Sequence, residues 1–113
     1  MRLKSGETFF ISNLLDLWVV KETVIDRQYE AASIPLEENW TVVDIGAAMG
    51  DYTVWAARQL PRGRVVAVEP FPQAVELIHL NVGQNSVSNV EVIAAAVTGK
   101  SGPATLNLVG ASL

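Results

Sequence analysis

Residues 42–53, VVDIGAAMGDYT, join an apolar run to an aspartate, then two glycines four residues apart, then a second aspartate. An apolar run without alternation is the pattern of a strand covered on both faces, and Trp40–Ile45 has it. Asp51–Leu60 switches to helical spacing, with Val54, Ala57 and Leu60 on one face, and the PRG at 61–63 stops it. The same succession then repeats. Arg64–Val68 is a second apolar strand ending at Glu69-Pro70. Pro72 opens a helix at its first turn, where a missing N–H is harmless. Val75, Leu77, Ile78 and Val82 form the apolar stripe of that helix, and GQNSVSN ends it. Val90–Val97 reads as a third strand, TGKSG as a turn, and Ala104–Val109 as a fourth extended segment. Strand, helix, strand, helix, strand means right-handed parallel crossovers, so the fold class is α/β with a parallel sheet. Such sheets bind ligands beyond the carboxyl ends of their strands, where both Asp44 and Glu69 fall.

The first third is less regular. Residues 8–16 are expected to form a short helix with Phe10, Leu14 and Leu17 on one stripe. LWVVKETVI, residues 17–25, is rich in β-branched side chains and reads as a strand or extended arm. DRQYEAA reads as a helical turn and SIPLEEN as a loop. The expected division is an N-terminal arm at 1–36 and a sheet-bearing unit at 37–113.

Composition excludes several classes. A chain of 113 residues makes one small domain, and with half its residues hydrophobic much of it must be buried. A net charge of −4 provides no footprint for nucleic acid or an anionic membrane. There is no cysteine, which removes disulfides, thiolate metal sites and cysteine nucleophiles. The single histidine, His79, argues against a histidine-rich metal site and a Ser–His–Asp triad; it reads as a surface residue of the second helix. Arg2 and Lys4 precede FFISNLLDLWVV, but Ser12, Asn13 and Asp16 interrupt that run and no small-residue cleavage site follows. It is also too short and polar to span a bilayer, so a cytoplasmic location is the expectation.

The glycine turn carries the chemistry. A strand running straight into a helix exposes backbone N–H groups at the helix N-terminus, with roughly half a positive charge from the macrodipole. Gly46 and Gly50 let the chain bend and a ligand come close, while Ala47 and Ala48 keep the turn slim. A carboxylate at the end of a buried strand, Asp44, needs a partner: N–H groups of the turn, a cation or a ligand amine. Glu69 ends the next strand about 20 residues after the glycines, where it can accept bonds from both hydroxyls of a ribose. Phe71 can lie against a flat base. Asp51 and Thr53 suit helix capping or a ligand contact, with capping favoured for Asp51. Trp18, Trp40 and Trp55 read as packing, and Glu22 and Asp26 as solvated.

Taken together, VVDIGAAMGDYTVWAA, RVVAVEPFP, NVEVIAAAV and the upstream DLWVVKETVIDRQYE resemble the N-terminal half of FkbM-type methyltransferases, from about Leu17 to about Leu108. These are class I enzymes that use S-adenosylmethionine. The resemblance implies a Rossmann-like sheet, here truncated to three parallel strands with flanking helices and an arm. It implies that Asp44, Gly46, Ala47 and Gly50 line the methionine and sulfonium part of the cofactor, with Asp51 and Thr53 nearby. It further implies that Glu69 binds the ribose hydroxyls, that Phe71 flanks the adenine and that Ala95 and Ala96 close the adenine pocket. By the same likeness Tyr29 covers the turn, although packing is its simpler role. Transfer of a methyl group to oxygen of a small molecule or sugar is the implied activity, with no catalytic base visible and no metal. The chain departs from the class at Ala48, where a third glycine is common, and at the alanines after the third strand, where an acid or amide is common. It also supplies only the first half of a sheet that in the class has seven strands.

Two other functions compete. A nicotinamide-dinucleotide-binding oxidoreductase domain shares the fold, but its G-x-G-x-x-G fingerprint is absent because Ala48 holds the middle place. A non-catalytic half-domain would leave the first strand with a bare apolar edge, which favours dimers or aggregates.

Overall fold

The computed structural model describes residues 1–3, 6–12 and 35–107. Its regular elements are β1 (Thr41–Ile45), α1 (Asp51–Gln59), β2 (Arg64–Val68), α2 (Pro72–Gln84) and β3 (Val90–Ile93). The three strands form one parallel sheet in the order β1-β2-β3. Asp44 lies level with Ala67 and Val92, and Ile45 with Val68 and Ile93. This is the α/β architecture expected from the repeated apolar runs.

Helix α1 packs on β1 and β2, α2 packs on β3, and the helices touch each other, so both lie on one face of the sheet. That face carries Val42, Val65, Ala67, Val90 and Val92, which pack with Trp55, Leu60 and Ile78 from the helices. Burial of this face is the main stabilising term, at about 25 cal/mol for each Å² of apolar surface removed from water.

Four expectations are corrected. First, β1 is not covered on both faces by the described residues: Val43 and Ile45, on the side away from the helices, are 56% and 62% exposed. The central strand is better shielded there, with Val66 and Val68 buried between their neighbours. Second, β3 ends at Ile93 rather than Val97, because β2 ends at Val68 and offers no further strand to pair with. The last bond across that boundary is Glu69 N–H to Ile93 C=O, 3.1 Å. Third, Ala104–Asn107 forms no strand; Leu108 and Val109 lie outside the described residues. Fourth, residues 8–12 are not helical. Thr8 instead bridges Arg2 antiparallel, and Phe9 is fully buried against Met49 and Val54. The remainder of that expected helix, the 17–25 strand, the turn at 26–32 with Tyr29, and Trp18 all lie outside the described residues.

Candidate functional site

The site is built where β1 runs into α1. In a parallel sheet, residues level with one another share a face, and so do residues two apart on one strand. Asp44 is level with Ala67, so Glu69, two residues further on, projects to the same side one step along. The place level with Glu69 on the first strand is occupied by Gly46, which has no side chain. Gly46 has φ 74° and open space where a Cβ would stand. The two acids therefore flank a gap that a glycine keeps clear.

The turn is clamped over the end of β2. Gly46 N–H and Ala47 N–H both donate to Val68 C=O, at 2.8 and 3.2 Å. Ala48 takes a left-handed conformation, φ 53°, that a residue with a Cβ rarely adopts. That conformation aims the Ala48 N–H at Glu69 Oε2, 2.8 Å away. Phe71 N–H donates to the other oxygen, Oε1, at 3.0 Å. Glu69 is thus buried, at 8% exposure, yet charge-compensated by two loop amides. A carboxylate offers about four acceptor positions. Two are used here, one on each oxygen, so each oxygen can still accept from an incoming hydroxyl.

Asp44 is half-buried and accepts a 2.6 Å bond from the Thr53 hydroxyl, which sits in the first turn of α1. Burial raises its pKa above the usual 3.8, the Thr53 bond opposes the rise, and the charge of Glu69 adds to it. The acid is therefore poised to gain from a cation placed beside it. Thr53 acts by holding Asp44. Asp51 is the first residue of α1 and is buried, while Gly50, with φ 89°, is the N-cap and supplies no side-chain bond. Gly50, and not Asp51, thus holds the N-cap position.

Two hollows adjoin the loop after β2. One, of about 270 Å³, is walled by Ala48, Met49, Glu69, Phe71 and Leu77 and, from the N-terminal segment, Ser12. The other, of about 660 Å³, lies between Pro70 and the chain from Ala94 to Leu106 and includes Ala95 and Ala96. The larger one contains neither acid. The fold thus gathers Asp44, Gly46, Ala47, Gly50, Asp51, Glu69 and Phe71 around the ends of β1 and β2. Ala95 and Ala96 it sets apart, across the Pro70–Phe71 loop. Ser12 was not anticipated, and neither was Asn81 of α2, which donates a 2.8 Å bond to the carbonyl of Met49 within the turn. The available signal was an asparagine inside an otherwise apolar helical stripe, with a second one four residues later. Among the described residues no cluster of acids and histidine is arranged to hold a metal ion, and no helix is long and apolar enough to cross a membrane.

No protein-family model matches the chain. It is similar to Methyltransferase sdnD of Sordaria araneosa, 28% identical over 95 residues that cover 83% of this chain and 36% of that protein. It is also similar to Methyltransferase 1 of Beauveria bassiana (strain ARSEF 2860), 30% identical over 74 residues, 66% of this chain and 29% of that one. The chain spans about a third of the length of these relatives. Among solved structures, coclaurine N-methyltransferase bound to N-methylheliamine and SAH superposes with a TM-score of 0.56 at 27% identity, over 66% of this chain and 22% of that one. The order of elements, the parallel register and these likenesses together give the chain a Rossmann-like α/β fold of the kind carried by methyltransferases.

Proposed function

We propose that the chain is the S-adenosylmethionine-binding portion of a methyltransferase. The observation that carries this reading is Glu69: its two oxygens are each held by one loop amide, opposite a glycine gap, on the same side of the sheet as Asp44. That donor set fits an adenosyl sulfonium. Glu69 has one further acceptor position on each oxygen for a vicinal diol. Asp44, disfavoured as an anion by burial and by Glu69, gains from a nearby positive charge. Gly46 and Ala47 line the approach, and Gly50, Asp51 and Phe71 border it. Ala95 and Ala96 belong to this reading as a wall on the far side of the loop.

When bound, S-adenosylmethionine supplies an electrophilic methyl group on a sulfonium. This chain's own residues bind and orient it. Glu69 fixes the ribose, and the Thr53–Asp44 pair holds a negative charge at the mouth of the turn. In-line transfer gains chiefly from such positioning. No residue here is assigned as a base. The resemblance of VVDIGAAMGDYT and RVVAVEPFP to the FkbM-type enzymes supports the finer reading of methyl transfer to oxygen of a small molecule or sugar.

A dinucleotide is the alternative ligand, since an acid at the end of the second strand also suits its ribose. Calorimetric titration with S-adenosylmethionine, S-adenosylhomocysteine and NAD decides between them. Saturable binding of the first two without NAD is expected, and binding of NAD alone overturns the proposal.

A further inference from the structure

The N-terminal segment is held in a way that bears on the site. Asn81 is fully buried on α2. Its side chain accepts from Phe10 N–H, donates to Phe10 C=O at 3.1 Å, and donates to Met49 C=O at 2.8 Å. One helical turn later the side chain of Asn85 accepts from Thr8 N–H at 2.7 Å and donates to Thr8 C=O at 2.6 Å. Four residues of helix rise about 6.0 Å and two residues of strand about 6.6 Å. Two asparagines four apart on a helix can therefore serve alternate residues of an extended segment as a neighbouring strand would. Phe9, between the two bracketed residues, is turned into the core against Met49 and Val54. Glu7 adds an ion pair to Arg58 of α1 at 3.7 Å.

The two brackets differ in one respect. Asn85 bonds the segment and its own helix, through Asn81 C=O at 2.8 Å. Asn81 bonds the segment and the glycine turn. Met49 lies between Ala48, whose N–H holds Glu69, and Gly50, the cap of α1. Two residues beyond Phe10, Ser12 forms part of the wall of the hollow that Glu69 and Phe71 share.

We propose that Asn81 is a positioning residue that couples the docking of residues 7–12 to the geometry of the ligand-binding turn, so that the segment forms one wall of the ligand site. This rests on the proposed function for the identity of the ligand, but the link between segment and turn stands without it. Coupling is reciprocal: a ligand that tightens the turn tightens the segment by the same factor.

The test compares Asn81→Ala with Asn85→Ala. Each removes two bonds to the segment backbone, but only the first removes a bond to the turn. Backbone hydrogen exchange is followed at residues 7–12 and 46–50, each variant held at the same interval below its own melting temperature. S-adenosylhomocysteine affinity is measured by calorimetry. Asn81→Ala is expected to speed exchange at 46–50 and to weaken binding about three- to tenfold, the effect of one buried hydrogen bond. Asn85→Ala is expected to loosen residues 7–9 while leaving affinity within about twofold. Equal losses in both variants, or none in either, overturn the proposal. If Asn81→Ala does not fold, the wild-type chain decides: saturating S-adenosylhomocysteine must slow exchange at residues 10–12, and unchanged exchange there refutes the coupling. If the wild type binds no S-adenosylhomocysteine, the proposed function fails, and exchange at 46–50 in the two unliganded variants still settles whether Asn81 links segment to turn.

Discussion

Replacing Glu69 by glutamine tests the site with little change of shape. In the wild type Oε2 accepts from Ala48 N–H at 2.8 Å and Oε1 from Phe71 N–H at 3.0 Å. A glutamine keeps one acceptor oxygen and turns an NH₂ toward the other amide, so one of the two bonds must be lost. Hydrogen bonds to charged groups contribute about 1.5–3 kcal/mol each. The unliganded fold should therefore lose up to about that much, offset in part by relief of the repulsion that now raises the pKa of Asp44. For a bound ribose the loss is more direct. The diol exchanges two charge-assisted acceptors for one neutral acceptor and one donor, and about 1.5–3 kcal/mol corresponds to roughly 10- to 150-fold in affinity. Calorimetry with S-adenosylhomocysteine and with its 2′-deoxy analogue separates the two effects. The deoxy analogue should bind the wild type more weakly, and Glu69→Gln should discriminate little between the two ligands. Unchanged affinity in Glu69→Gln, or undiminished discrimination, would refute the assignment of Glu69 to the ribose.

Four further outcomes are expected. Gly63→Ala should destabilise the fold by about 1–3 kcal/mol or more in urea unfolding, because a Cβ there would stand 2.1 Å from Trp40 C=O, which accepts from Arg64 N–H at 3.0 Å. Asp44 has a folded pKa raised above 3.8, so the folded chain holds its proton across a window where the unfolded chain has released it. Stability from this group is complete below 3.8 and is lost as pH rises through the folded value; Asp44→Asn should flatten that part of the stability–pH curve. The same titration should make affinity for the sulfonium, relative to neutral S-adenosylhomocysteine, fall as pH is lowered through it, as paired calorimetric titrations would show. Finally, the exposed Val43 and Ile45 on β1, the edge of the sheet among the described residues, should promote self-association at micromolar concentration, and Ile45→Lys should reduce it; a monodisperse wild-type monomer by light scattering would defeat this.

The parts of the fold legible in the sequence are those whose cause is local. The apolar runs at 41–45, 64–68 and 90–93 and the helical stripes between them depend on side-chain spacing alone, and they set the order and direction of the strands. The end of β3 was not legible, because Ala94–Val97 continues the apolar pattern and stops pairing only where β2 has run out. Neither was the course of residues 8–12. Their helical spacing is outweighed by Asn81 and Asn85, more than 70 residues away, which bond the backbone of Thr8 and Phe10 and so give no signature in the side chains they hold. The exposed side of β1 belongs to the same class of long-range effect, since helix placement and not strand composition determines which face is covered.

The candidate site divides along the same line. Asp44 and Glu69 could be located because acids at the ends of apolar runs are conspicuous, and Gly46 because a missing side chain is visible in a sequence. What makes the pair a site is backbone: the Ala48 and Phe71 amides on the carboxylate, and the Gly46 and Ala47 amides on Val68 C=O. Any non-proline residue supplies an N–H, so these contacts constrain conformation far more than identity. Ala48 illustrates this, adopting φ 53° and delivering its amide to Glu69 although glycine would do so with less strain. An alanine at that position therefore leaves the carboxylate held. Its consequence falls instead on close approach, where a methyl group now stands in the wall of the hollow beside Glu69.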